Sequence, residues 1–298
     1  PVQEPVLALH ETFALSDDIA LNARAEHRTN LAARLVGEPT STNITEVREN
    51  PYLGLTERAS SMQQTLSMPG SSLTMLAYHA DLADSPETYN FRFDTAKPLN
   101  GAYSAARFKL TRGTDLELNQ GFVLEENSML GSESQGAFAL GSSNTLHAGV
   151  QATHSLTDHL KLFGRYDRGR TQTETVTNSL FSDIGTVTTD SYAFGVAIDE
   201  SLNPGDRLQF SFAQPMRIQN GTANLTLPVA TARDGSSIFE TTTLNLTPTG
   251  REQNLRMSYT TPLVGNSTFN FDAIYRDDAN HIAGAEEAAF YTTYSLAF

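Results

Sequence analysis

The chain has 298 residues, no cysteine, no tryptophan and a formal charge of −14. That length fits one large β-barrel or two ordinary domains, and the missing thiols exclude a disulfide framework and thiolate metal sites. The acidic balance argues against nucleic acid, whose phosphates need a basic face, and disfavours docking on an anionic lipid surface.

No run approaches the roughly 20 apolar residues of a transmembrane helix. Neither a charged region nor an apolar run follows Pro1, so no export signal is visible and an exported form is expected to be a processed chain. Absence of cysteine is common in proteins that cross an oxidising periplasm. The hydrophobic fraction of 39% is low, with Ser, Thr and Asn abundant. A barrel with one wet strand face has that balance, and so does a solvated β-structure.

Residues 1–70 carry mixed signals. Ser16-Asp17-Asp18 reads as an N-cap for 19–36, rich in Ala, Leu and Arg, with Gly37 and Pro39 as stops. An amphipathic helix and a strand pair both fit that stretch. Residues 40–55 read as a polar connector containing Pro51 and Gly54. The expectation is an N-terminal linker over 1–70, holding on the helical reading a segment for a barrel lumen, followed by a barrel domain over 71–298.

From Ser71 the chain becomes a meander. Tyr89, Phe91 and Phe93 alternate with polar residues, as do Tyr192, Phe194, Val196 and Ile198 with mostly small ones. Leu208, Phe210 and Phe212 follow the same rule, then Leu255, Met257 and Tyr259, then Phe269, Phe271, Ala273 and Tyr275. Period 2 puts each set on one face of a strand. Asn220-Gly221 and Asp234-Gly235 read as type I′ hairpins, Asn203-Pro204-Gly205-Asp206 as a type II turn and Gly265-Asn266 as a type II′ hairpin. The spacing predicts about twelve to fourteen strands. So many antiparallel strands leave two exposed edges unless the sheet closes, so the fold expected is an all-β, closed, antiparallel up-and-down β-barrel. Two features resist it: no Trp supplies aromatic girdles, and in 237–247 the set holding Leu244 and Leu246 also holds Glu240 and Thr242. That strand is misregistered, extends beyond the bilayer, or belongs to a soluble sheet.

Counting back from Phe298 by twos gives Leu296, Tyr294, Thr292 and Phe290, a largely aromatic stripe closing the chain. A terminal aromatic strand is similar to the assembly signal of bacterial outer-membrane proteins, which machinery can capture by β-augmentation. An ordinary last strand of a β-sandwich is the competing reading.

Residues 116–298 resemble a C-terminal region that follows the protease domain in alphaproteobacterial subtilisin-like autotransporters. The resemblance rests on Gly121-Phe122-Val123-Leu124-Glu125-Glu126-Asn127-Ser128-Met129-Leu130-Gly131-Ser132 with Gly136-Ala137-Phe138, then on Asn203-Pro204-Gly205-Asp206-Arg207-Leu208. It continues through Ala213-Gln214-Pro215-Met216-Arg217, Leu225-Thr226-Leu227-Pro228-Val229 and Leu246-Thr247-Pro248-Thr249-Gly250-Arg251-Glu252 to the last strand. It implies an outer-membrane translocator of a Gram-negative bacterium, with lipid and the assembly machinery as partners and a protease as passenger. The chain departs from the family in lacking the Ser, His and Asp surroundings of a subtilase, so no protease residue carries over.

Other constellations are weak. His147, His154 and His159 show no ligand spacing, and no metal or cofactor is expected. Asp277-Asp278 with Asn280 and His281, and Glu125-Glu126-Asn127, fit solvated loops better than calcium sites. Gly131-Ser132-Glu133-Ser134-Gln135-Gly136 lacks nucleophile-elbow spacing. No catalytic residue is assigned. The residues expected to matter are Phe290, Tyr294, Leu296 and Phe298 for assembly. Arg92, Arg107, Lys109 and Arg256, with Arg165 less firmly, are candidates for a lumen. A soluble surface-displayed structural or adhesive module and a porin-like pore remain as alternatives.

Overall fold

The computed structural model describes residues 8–16, 18–29, 50–82, 98–263 and 267–296. Its strands are β1 (Ala8–Ser16), β2 (Ile19–Thr29), β3 (Thr56–Met68), β4 (Ser71–Leu82), β5 (Pro98–Thr111) and β6 (Thr114–Glu125). The short β7 (Ser128–Met129) and β8 (Ser132–Glu133) precede β9 (Leu140–Ser155), β10 (Leu160–Thr175), β11 (Phe181–Ile184) and β12 (Val187–Asp199). Then come β13 (Arg207–Asn220), β14 (Thr222–Thr231), β15 (Ser237–Asn245), β16 (Gln253–Pro262), β17 (Ser267–Asp277) and β18 (Glu287–Leu296).

One antiparallel up-and-down sheet of 13 strands holds β1–β6, β9, β10, β12, β13 and β16–β18, with β1 and β18 at its edges. A 3-stranded sheet of β11, β14 and β15 branches off one end. The sheet crosses the expected boundary at residue 71 without a break, because β3 pairs with β4 from Thr56↔Leu82 to Met68↔Ser71.

The helical reading of 19–36 is corrected: Ile19–Thr29 is a strand, and 30–36 lie outside the described residues. Ala and Arg are good helix formers, but intrinsic propensity is a weak force beside tertiary pairing, and the ladders to β1 and β3 outweigh it. The 237–247 conflict resolves as well. β15 lies in the branch sheet, where all its residues are exposed, so Glu240 is not on the main sheet.

Two turns also differ from expectation. At Asn220-Gly221 the chain leaves the main sheet, since β13 does not pair with β14. Asp234-Gly235 is a hairpin, but only Gly235 has positive φ, at 86°, so it is not type I′. The Pro204-Gly205 turn is type II as read, with Gly205 at φ 80° and Asp206 N–H donating to Asn203 O. Gly265-Asn266 lies outside the described residues.

Cross-strand register assigns the faces. One row reads Val196, Phe210, Met257, Ala273, Phe290; one residue over, the other face reads Ala197, Gln209, Ser258, Asp272, Tyr291. The apolar face is the exposed one: Leu146 and Leu255 are each 57% accessible, whereas Thr145 and Asp167 on the polar face are at 0%. A soluble sheet places these the other way round. This inner face is buried because the sheet curves round the turn before β3: Tyr52 and Leu53 of that turn join Leu76, Tyr78, Leu99 and Val123 of β4–β6 in one cluster, and Met216 of β13 packs against it.

The connections are unequal. At one end lie the turns around 69–70, 112–113, 156–159 and 200–206. At the other lie 126–139, 176–186, 221–252 and 278–286. Even the longest of the first set, 200–206, is shorter than the shortest of the second, 278–286.

Candidate functional site

The polar inner face is filled at its long-loop end by the turn before β3. Asn50 shapes this turn: its carbonyl accepts from Leu53 and Gly54 N–H, and its Oδ1 accepts from Tyr52 N–H at 3.0 Å. Thr56 Oγ1 closes it by donating to Leu53 O at 2.8 Å. The turn thereby projects Tyr52 into the curve of the sheet. Its ring stacks on His147 of β9 at 4.4 Å and 14°. Its hydroxyl shares a 2.8 Å hydrogen bond with Thr189 Oγ1 of β12. Gly169 of β10 faces the ring, and a Cβ there would collide with it. Asn50 Nδ2 donates to Asn119 Oδ1 of β6 at 3.2 Å. One turn thus touches four strands, β6, β9, β10 and β12.

Towards the short-turn end, the same face carries ion pairs. Arg107 pairs with Glu117, Arg165 with the fully buried Asp167, Lys161 and Arg207 with Asp199, and Arg256 with Asp272. Arg107, Arg165 and Arg256 therefore face inward as the alternation predicts, but each is matched by its own acid. They form neutral rungs rather than one basic patch. Lys109 shares the register face of Arg107 near the turn at 112–113, exposed. Arg92 lies outside the described residues.

The blocks carrying the family resemblance hold loops. Glu125, buried, accepts from Leu130 N–H at 2.9 Å and Gly131 N–H at 2.8 Å, pinning the loop after β6. Asp206 accepts from the N–H groups of Ser201, Leu202 and Asn203 and from the Tyr259 hydroxyl. Two blocks distant in sequence meet: Arg217 donates to Gly250 O at 2.8 Å and Pro248 O at 3.0 Å, and Arg251 Nη1 donates to Gln214 Oε1. Pro215 makes this possible. It has no N–H for the ladder, the β12–β13 register shifts there, and β13 turns away from β16 beyond Ala213.

The 278–286 loop locks onto that assembly. Asp278 accepts from Arg251 and Gly284 N–H, and these bonds hold its carboxyl below the usual carboxylate range. His281 Nδ1 accepts from Glu252 N–H at 3.0 Å, and Nε2 faces Met216 O at 3.0 Å. Half-burial lowers the His281 imidazole below its ordinary value. The oxygens of Asp278 and Asn280 are thus occupied by backbone and by Arg276. Among the described residues no three His, Cys, Asp or Glu side chains gather to hold a metal.

β18 carries Phe290 and Tyr294 on the apolar face, at 78% and 60% accessibility, and pairs only with β17 among the described residues. Leu296 closes that ladder opposite Ser267; Phe298 lies outside the described residues. Tyr52, His147, Asn119 and Thr189 were not singled out from sequence as one cluster, since a turn carries no periodicity. Asn50-Pro51 before the alternation of β3 was the available signal.

No family model matches the chain, and no curated protein is similar to it.

Proposed function

We propose that the chain is a non-catalytic outer-membrane β-barrel of a Gram-negative bacterium, an autotransporter-like translocator that anchors or exports an N-terminal passenger. The observation that carries this is the inversion of the sheet: greasy side chains outward, paired charges and hydroxyls inward. In water the exposed apolar face would be a large aggregation-prone patch, whereas in a bilayer it is solvated by acyl chains. The unequal connections support the reading, since membrane barrels have short periplasmic turns and long outer loops. On this reading the short-turn end, toward which β18 runs, faces the periplasm.

Parity indicates which strands would form the seam of a closed barrel. β1 and β18 run in the same direction, so a ring of all 13 strands would need a parallel seam. The twelve from β2 to β18 form an even set whose end strands, β2 and β18, are antiparallel. We infer that β2 pairs with β18 in the membrane and that residues 8–16 leave the edge. That segment runs from the long-loop end to the short-turn end, the direction of a connector between an outside passenger and the first barrel strand. Assembly machinery would capture the free edge of β18, with Phe290 and Tyr294 facing lipid.

The test is electrophoretic. Detergent-extracted protein loaded without boiling is expected to resist SDS and migrate apart from the boiled form. Recovery in the aqueous fraction without detergent, with no mobility difference on heating, would establish a soluble module instead.

A further inference from the structure

The net charge disfavours anionic ligands, yet the outer face carries one basic feature that points to one. Arg168 and Arg170 stand two residues apart on β10, near its long-loop end. Register places Arg168 beside Ala148 and Arg170 beside Leu146, on the apolar face. Both are exposed, and neither makes a hydrogen bond or ion pair among the described residues. Arg168 lies across from Asp190, but that carboxylate is already held by the amides of Gln214, at 2.8 Å, and Gln219. Free cations on a mainly apolar face require an explanation that the inner ion pairs do not supply.

The surface beside them supplies it. Arg168 and Arg170 border a depression of about 580 Å³ that includes Leu146 and Ala148. Those two residues also border a second depression of about 710 Å³, which extends over Met62, Met75, Ala102 and Phe122. The floor is low because Ala77, Ala102 and Ala148 are small beside Met62, Met75, Phe122 and Leu146, and Gln64, Ser104 and Gln120 complete the lining. A mainly apolar trough thus runs across β3–β6 and β9 into a two-arginine terminus.

We propose that this surface binds a net-anionic lipid whose headgroup phosphate is not masked by a cation, its acyl chain along the trough and its phosphate between Arg168 and Arg170. A guanidinium pairs bidentately with phosphate oxygens, and the trough replaces bulk acyl contact with a fitted one. The site would sit in the leaflet on the long-loop side. It rests on the membrane reading, since only there does the outer face meet lipid.

The experiment is native mass spectrometry of detergent-solubilised protein with dioleoyl phosphatidic acid or dioleoyl phosphatidylcholine, which share acyl chains and differ in headgroup charge. Wild type is expected to retain the phosphatidic acid selectively, and R168Q/R170Q to bind it about 30-fold more weakly, the effect of two basic residues at a lipid surface. A102F, which fills the trough and leaves both arginines in place, is expected to weaken it as well. Equal retention by R168Q/R170Q, equal retention of both lipids by wild type, or displacement by excess inorganic phosphate alone would each overturn the proposal. The unboiled-gel shift is recorded for every variant. If the shift is intact but lipid selectivity is absent, this proposal alone falls; if wild type shows no shift, the barrel reading falls with it.

Discussion

Tyr52 lies flat on His147 and touches Thr189 with its hydroxyl, so substitution can separate two losses. Tyr52→Phe keeps the stack and strands the Thr189 hydroxyl, which should cost about 1 kcal/mol of stability. Tyr52→Ala also empties the space facing Gly169 and should cost about 3–5 kcal/mol. Denaturant midpoints in detergent check both, and equal midpoints for the two variants would show that the ring does not brace the sheet. A second residue-scale outcome concerns acid. His281 is lowered from 6.5 and Asp278 from 3.8, so both favour the folded loop when deprotonated. Stability from His281 is present above its unfolded value of 6.5 and declines as pH falls toward its lower folded value; that from Asp278 declines further down, below 3.8. Cleavage of the 278–286 loop by a protease active across the range should therefore rise in two steps on acidification, and His281→Ala should remove the upper step.

At the scale of elements, some of the fold was legible and some was not, for identifiable reasons. Phe210 and Phe212, or Leu255 and Met257, announce strands because every second residue meets the same solvent. Pro204-Gly205 announces its turn because φ is fixed at one residue and must be positive at the next. β2 was ambiguous because Ala and Arg tolerate a helix, and only pairing with β3 decides. Asn220-Gly221 was misread because the same dipeptide that reverses a hairpin also lets a strand leave one sheet for another. Tyr52 was invisible as a plug because its partners lie on β9 and β12, far along the chain. The inferred seam is open to direct measurement. Among cysteine pairs drawn from Leu21, Ala23 or Ala25 of β2 and Phe290, Thr292 or Tyr294 of β18, one should form a disulfide on mild oxidation of membrane-inserted protein. Truncation of residues 8–16 should leave that link intact. Cross-links from Leu9 or Phe13 to β18, with none from β2, would instead support a ring of 13 strands.

For the whole molecule, faces and ends form one pattern. Ion pairs, hydroxyls and the cluster around Tyr52 fill the inside, apolar rows the outside, short turns one end and interlocked loops the other. Arg217, Glu125 and Asp206 hold the connections so that the strands between them keep their register. The central claim is that the outward rows meet hydrocarbon, and nitroxide labels report this directly. Labels at Leu146, Phe194 and Leu255, each in its own variant, should in reconstituted protein be relaxed by dissolved oxygen far more than by a water-soluble nickel chelate. Labels at the inward Ser211 and Ser258 should be protected from oxygen in the bilayer. Preferential relaxation of the outward labels by the nickel chelate, as for a sheet standing in water, would contradict the account.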